Sequence, residues 1–219
     1  PSEILNQILH MRALSLQPSP VGRELKPLSN IVFMGVGEPL DNYDNLLKAL
    51  RIINAPEGLN IGARKITIST CGVIPKIQAL AKEGLQIELA ISLHGYNNES
   101  RNVLMPVNRK YPFDDLIQAC REFFRATKRQ ITFEYILIKG VTCTDEAAKE
   151  LSKHLKGMVC KMNLIPYNPV KEFDHAPPSR QEAFRFRHLL EHHGIHATIR
   201  MPRGRDVAAA GGQLRHAES

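Results

Sequence analysis

The chain has 219 residues, of which 43% are hydrophobic, and carries a formal net charge of +7. This length and composition support one large folded core or two small ones, and no apolar run reaches the roughly 18 residues that a membrane-spanning helix needs. The positive charge suits a polyanionic partner such as a nucleic acid.

The four cysteines are scattered along the chain, without CxxC or CxxxC spacing: Cys71, Cys120, Cys143 and Cys160. In a protein of this size, that pattern is typical of reduced cytoplasmic thiols and not of a disulfide framework. It also provides no zinc or iron–sulfur ligand set within these residues. We interpret all four side chains as small buried hydrophobic groups.

Short β-branched runs alternate with segments of helical spacing. The predicted strands are Asn30–Val36, Lys65–Thr70, Ile87–Leu93, Ile131–Ile138, Lys161–Ile165 and His196–Arg200. The predicted helices are Asp41–Ile53 with an Asp41 cap, Phe113–Arg125, Thr144–Leu155 and Ser179–His193 with a Ser179/Glu182 capping box. Strands separated by helices predict an α/β fold with parallel strands and right-handed crossovers, either an open doubly wound sheet or a barrel. The proline-containing stretch Leu16–Leu28 predicts a surface insertion.

Small and polar residues interrupt the apolar strands at their carboxyl ends. They are Gly37 and Glu38 after the first strand, Ser69, Thr70 and Gly72 at the second, Ser92 and His94 at the third, Lys139 and Gly140 at the fourth, and Asn168 at the fifth. In parallel α/β folds this edge holds the ligand, because the loops converge there. Taken alone, GVGEP (35–39) could equally be a tight turn, and it lacks the third glycine of a dinucleotide-binding fingerprint.

Five longer phrases carry a resemblance to a known family: MGVGEPLDN, ITISTCGVIP, LAISLHGYNNESRNVLMPVNRKYP, ITFEYILIKGV and NLIPYNPV. Together they resemble the radical S-adenosylmethionine (SAM) enzymes that methylate C2 of adenine in ribosomal RNA, and the related adenine C8-methyltransferases of antibiotic resistance. The likeness runs from about Ser2 to Leu214. It implies that residues 1–219 form a radical SAM core domain, a partial (β/α) barrel of parallel strands, and it favours the barrel over the doubly wound sheet.

The resemblance also assigns site residues, and all but Leu93 had already been singled out at the sheet edge. The implied SAM-contacting residues are Gly37, Glu38, Ser69, Ser92, Leu93, His94 and Asn168. Glu38 would lie against the polar end of SAM. The resemblance further implies a [4Fe–4S] cluster whose CxxxCxxC ligands lie outside this chain, in a segment expected before Pro1. The implied partners are RNA, ribosomal and possibly also transfer RNA, and an electron donor such as flavodoxin. The implied location is the cytoplasm, with no membrane association.

One phrase departs from the family pattern. The family carries a methyl-bearing cysteine in a phrase like AACGQL, whereas this chain reads AAAGGQL, with Gly211 at that position. Because glycine has no side chain to methylate, two functions stay open. One is RNA adenine methylation. The other is a divergent relative that binds RNA or performs other radical SAM chemistry. A plain nucleotide-binding domain is disfavoured, since the sequence has no phosphate loop.

Basic residues are expected to flank the mouth of the barrel and contact RNA phosphates. They are Arg101, Arg109, Lys110, Arg200, Arg203 and Arg205.

Overall fold

The computed structural model describes residues 1–15, 28–34, 37–170 and 173–200, and these contain a six-stranded parallel sheet. The strands are β1 (Ile31–Phe33), β2 (Ile66–Thr70), β3 (Glu88–Ser92), β4 (Ile131–Leu137), β5 (Cys160–Pro166) and β6 (His196–Ile199). The helices are α1 (Ser2–Ser15), α2 (Tyr43–Asn54), α3 (Ile74–Lys82), α4 (Asn98–Leu104), α5 (Phe113–Thr127), α6 (Asp145–Leu155) and α7 (Arg180–His192). None of these helices is both long and apolar enough to cross a bilayer.

The strand order decides between the two architectures that the sequence left open. Each strand pairs in parallel with the next one along the chain, from β1 at one edge to β6 at the other. A doubly wound sheet reverses its strand order at a switch point, and no reversal occurs here. Successive right-handed crossovers instead place the helices on one face and curl the sheet. The fold is therefore an open, partial (β/α) barrel, as the resemblance implied.

The core lies between the sheet and its surrounding helices. Strand β4 illustrates how side chains divide between the two faces, because successive residues of a strand point in opposite directions. Tyr135 points outward and stacks on Phe186 of α7, with ring centroids 5.7 Å apart, whereas its neighbour Glu134 points into the barrel and lines the cavity described below. Buried apolar residues of α2, α5 and α6 cover the outer face in the same way.

The predicted elements agree with the structure except at the start of α2. All six predicted strands are present, although the last two residues of Asn30–Val36 and most of Leu16–Leu28 lie outside the described residues. Thr144 caps α6, and Ser179 and Glu182 form the predicted capping box of α7. The expected Asp41 cap is wrong. Pro39 starts a 3-10 turn two residues earlier (Pro39–Asn42), and Glu38 caps that turn by accepting a hydrogen bond from the Leu40 N–H.

Helix α4 packs tightly against the turn that follows β3. A Cβ atom at Gly95 would lie 2.6 Å from Cβ of Arg101 and 2.7 Å from both Cα and N of the same residue. Two of these three atoms belong to the backbone of α4, so no side-chain rotation relieves the contact. Position 95 therefore requires glycine because of space.

We expect Gly95→Ala to lower the free energy of unfolding by about 2–3 kcal/mol, the usual cost of overpacking a rigid site. Gly62→Ala is the matched control, because a Cβ there would meet no atom within 4 Å, and its effect should stay within about 0.5 kcal/mol. Urea unfolding of both variants measures the difference. Equal midpoints for the two variants would contradict the packing described for Gly95.

Candidate functional site

A cavity of about 450 Å³ opens at the carboxyl edge of the sheet. Every strand, or the residues directly after it, contributes to its wall. The lining residues are Met34, Gly37, Glu38, Pro39, Ser69, Thr70, Cys71, Ser92, His94, Met105, Glu134, Ile165 and Arg200. This volume falls within the range of small-molecule sites, and a wall with a few polar groups among apolar ones is typical of them.

Five of the seven predicted site residues lie together in this wall. They are Gly37, Glu38, Ser69, Ser92 and His94. Gly37 has a φ of +96°, and no atom stands within 4 Å of the place where its Cβ would be. The left-handed backbone therefore favours glycine at this position, and it leaves the main chain open to a ligand.

Glu38 has a structural role in addition to its place in the wall. One carboxylate oxygen accepts a hydrogen bond from the Leu40 N–H at 3.0 Å, and the other accepts from the Cys71 N–H at 2.7 Å. The side chain thus joins the loop after β1 to the loop after β2. Ser69 and Ser92 differ in this respect, because their hydroxyl groups make no hydrogen bond with any other described residue.

His94 is neutral and strained. Its φ of +52° is uncommon for a residue other than glycine, and its Nδ1 is buried without a hydrogen-bond partner among the described residues. Burial, and secondarily the positive charge of Arg101, lower the pKa of His94 to about 4. The imidazole is therefore uncharged near neutral pH and can serve as a hydrogen-bonding group toward a ligand.

The two other predicted residues lie outside the wall. Leu93 is fully buried, and its main chain donates to the Glu134 carbonyl and accepts from Arg101. Asn168 is exposed after β5 and is absent from the cavity lining. Leu93 therefore serves the turn through its backbone, and Asn168 stands at the rim side of the sheet edge.

Arg101 does not lie on a phosphate-contacting surface, and that expectation is wrong. Its side chain is fully buried and binds three loops. Nε donates to the Leu93 carbonyl at 3.0 Å, Nη1 to Asn108 Oδ1 at 2.9 Å, and Nη2 to the Cys71 carbonyl at 2.5 Å. Arg109, Lys110 and Arg200 are exposed as expected, while Arg203 and Arg205 lie outside the described residues.

The cysteines agree with their predicted role as buried or half-buried thiols. All four are free. Burial raises the pKa of Cys71 and Cys120 to about 12, and that of Cys143 and Cys160 to about 11. Such thiols stay protonated near neutral pH and are poor nucleophiles and metal ligands. Within the described part of the chain, no group of three or more His, Cys, Asp or Glu residues could hold a metal ion.

The sequence reasoning missed one polar residue of the wall, Glu134. It was hidden in ITFEYIL, which was interpreted as an apolar strand. A carboxylate in the middle of a strand that helices cover was the available signal, since such a group is rarely buried without a partner. The structure places it beside Ser92 of β3 and Asn163 of β5 in the sheet register.

The sequence also matches known proteins over most of its length. The Radical SAM superfamily matches residues 21–152, more than half of the chain. The chain belongs to the radical SAM superfamily.

Curated relatives narrow the similarity. The chain is 45% identical over 216 residues to the probable dual-specificity RNA methyltransferase RlmN of Lachnospira eligens. That alignment covers 99% of this chain and 59% of the relative. It is 52% identical over 188 residues to the protein of the same name from Clostridium novyi, covering 86% of this chain and 55% of the relative. The chain thus spans somewhat more than half the length of these radical SAM relatives.

Solved structures agree with the fold. A crystal structure of a radical SAM methyltransferase from Sphaerobacter thermophilus superposes with a TM-score of 0.84 and 44% identity, over 94% of this chain and 60% of the other. A domain of pyruvate-formate lyase-activating enzyme from Bacteroides vulgatus superposes with a TM-score of 0.63 at 18% identity, over 80% of this chain and 100% of the other. The second likeness concerns the radical SAM fold alone. The expected family and the expected partial barrel are confirmed.

The neutral His94 has a consequence for stability. The unfolded chain binds a proton at this residue below its ordinary pKa of 6.5, whereas the folded protein does so only near pH 4. The free energy of unfolding should therefore fall on acidification through this window, by about 2 kcal/mol between pH 7.5 and pH 5. We expect His94→Asn to remove that part of the fall, because asparagine tolerates the left-handed backbone.

Urea unfolding of the wild type and of His94→Asn at the two pH values measures this difference. The control is His188→Asn, which changes an exposed residue of α7 and should preserve the wild-type pH dependence. An unaltered pH dependence in His94→Asn would show that His94 already binds its proton in the folded state.

Proposed function

We propose that this chain is the SAM-binding core of a radical SAM enzyme that methylates C2 of an adenine in RNA. Ribosomal RNA is the proposed substrate, with transfer RNA as a second one. The observation that carries the proposal is the cavity at the carboxyl edge of the sheet, where Gly37, Glu38, Ser69, Ser92 and His94 converge. The curated relatives named as dual-specificity RNA methyltransferases support the substrate class.

The residues of the wall fit SAM by their chemistry. The open backbone at Gly37 and the carboxylate of Glu38 suit the polar amino-acid end of the molecule, because the carboxylate keeps lone pairs beyond its two backbone bonds. The free hydroxyls of Ser69 and Ser92 can accept or donate hydrogen bonds to the nucleoside. Neutral His94 adds a polar group without a charge that would repel a sulfonium.

The family uses SAM together with a [4Fe–4S] cluster, and the described residues of this chain do not fit the cluster. They contain no three-residue metal-binding group, and their thiols are held protonated. We place the cluster ligands outside this chain, as the sequence implied. Bound at such a cluster, SAM supplies radical chemistry, which suits adenine C2 because that carbon is too electron-poor for direct methyl transfer. We further propose an electron donor such as flavodoxin and a cytoplasmic location.

Exposed cations near the site suit the RNA backbone. Arg200 lines the cavity and is half exposed, with 55% of its side chain accessible. Arg109 and Lys110 are exposed in the segment that follows α4. Contacts between such side chains and phosphates would position a folded RNA without reading its sequence.

Gly211 motivates a second candidate function. The glycine occupies the position at which the family carries its methyl-bearing cysteine, and it lies outside the described residues. The thiols that the structure describes are protonated near neutral pH, so none is an obvious replacement. A relative that binds RNA or performs other radical SAM chemistry on it accounts for the same cavity.

Removing the two free hydroxyls tests SAM binding with little effect on folding. We expect Ser69→Ala combined with Ser92→Ala to weaken binding of S-adenosylhomocysteine about tenfold, since each lost hydrogen bond contributes roughly 0.5–1.5 kcal/mol. Isothermal titration calorimetry on the full-length protein measures the affinity. Ser152→Ala is the control, because that hydroxyl bonds to the Ala148 carbonyl within α6, away from the cavity. Unchanged affinity in the double variant would refute the assignment of the two serines.

The reaction itself is tested with the full-length protein, reconstituted anaerobically with iron and sulfide. We expect incubation with SAM, a reductant and unmodified bacterial RNA to yield 5′-deoxyadenosine and 2-methyladenine, both quantified by mass spectrometry. 5′-Deoxyadenosine without methyladenine would favour the second candidate. Neither product, with the cluster present by absorbance, would contradict both enzymatic functions.

A further inference from the structure

Glu134 is the polar group of the cavity wall that the expected SAM contacts leave without a role. It lies on the barrel side of β4, opposite Ser92 of β3 and Asn163 of β5. Only 4% of the residue is exposed, yet it lines the cavity. A carboxylate so placed needs partners for both oxygens, because a buried polar atom without a hydrogen bond destabilises the fold.

The two oxygens of Glu134 differ in their partners. Oε1 accepts a hydrogen bond from Asn163 Nδ2 at 2.8 Å and lies 3.9 Å from Nη2 of the half-exposed Arg200. Oε2 is buried and has no hydrogen-bond partner among the described residues. Asn163 therefore fixes one oxygen and leaves the other as a free acceptor. Because the last torsion of a glutamate side chain is broad, a small rotation can turn Oε2 toward a ligand while the bond to Asn163 is kept.

A second unpartnered atom lies close by. Nδ1 of His94 is buried without a partner, and the His94 backbone N–H donates to the Glu134 carbonyl at 3.3 Å. Of the four buried side-chain atoms that lack a partner within the described ranges, these two belong to the cavity wall. Two unsatisfied groups on adjacent strands of one cavity indicate a ligand that carries hydrogen-bonding groups.

We propose that Glu134 is a binding residue that accepts a hydrogen bond from a donor group of the nucleoside part of the ligand. This inference rests on the proposed SAM site. An ionised carboxylate only accepts hydrogen bonds, so its partner is a sugar hydroxyl or the exocyclic amine of the adenine. Asn163 acts as a positioning residue, because it touches the carboxylate and holds it in place.

The sharpest test is Glu134→Gln in the full-length protein. The amide oxygen of glutamine can still accept the bond from Asn163, so its NH₂ group then occupies the position of Oε2. The substitution keeps the shape and reverses the hydrogen-bonding polarity at that one point. We expect affinity for S-adenosylhomocysteine, measured by calorimetry, to fall at least about tenfold, the usual effect of a hydrogen bond to a charged group. Glu88→Gln is the matched control. Glu88 lies at the amino end of β3 and pairs with Arg129, and its loss should leave the affinity unchanged.

Analogues locate the donor group. The probes are 5′-methylthioadenosine, its 2′-deoxy and 3′-deoxy forms, and its inosine counterpart, each titrated into wild type and Glu134→Gln. Wild type and variant should bind equally the one analogue that lacks the donor, as in a double-mutant cycle, while they differ for the others.

Three outcomes would overturn the inference. Equal affinity of wild type and Glu134→Gln for S-adenosylhomocysteine would remove the hydrogen bond while leaving the SAM site in place. A loss for SAM but not for S-adenosylhomocysteine would show that Glu134 acts by attracting the sulfonium charge. Failure of the wild type to bind any of these nucleosides would contradict the proposed function and this inference together.

Discussion

A single buried guanidinium organises the ligand-binding edge of the sheet. Arg101 reaches from α4 and donates hydrogen bonds to the carbonyls of Cys71 and Leu93 and to the side chain of Asn108. No described carboxylate lies within salt-bridge distance, so its charge is balanced by the dipoles of three neutral acceptors. The loops after β2 and β3 are thereby fixed relative to each other, and those loops carry part of the cavity wall. Replacing such a group leaves several buried acceptors unsatisfied, which is among the more destabilising changes that a core can undergo.

The same guanidinium contributes to the electrostatics of the site. Burial lowers its own pKa to about 10, so it remains charged near neutral pH. Its field adds to desolvation in keeping His94 neutral, while at Cys71 it opposes a larger effect of burial, and that thiol stays protonated. The wall therefore presents a neutral imidazole, an unreactive thiol and two carboxylates. That combination suits a cationic nucleoside and provides no nucleophile that would attack its sulfonium.

Sequence patterns predicted what depends on local chemistry and missed what depends on tertiary contacts. Strand positions, the Thr144 and Ser179 caps and the polar carboxyl edge followed from periodicity, capping and topology. Arg101 was misplaced because a basic residue among polar neighbours is usually solvated, and only the fold shows that three loops enclose it. Glu134 escaped because one carboxylate does not disturb the apolar average of ITFEYIL. Helices α3 and α4 lacked strong signals of their own, and Asp41 was taken as a cap because the effect of Pro39 on the turn was overlooked.

The strictly sequential strand order has a consequence for how the protein assembles. Each strand pairs with a neighbour only about 20 to 40 residues away along the chain, as in Ile31 with Ile66 or Ile131 with Cys160, so the sheet can grow one strand at a time from local contacts. The cavity, however, takes wall residues from every strand or the loop after it, from Gly37 to Arg200. It is complete only when the last strand has docked. A molecule that binds there stabilises the finished sheet over every partly assembled one, and thereby couples the integrity of the two distant edges.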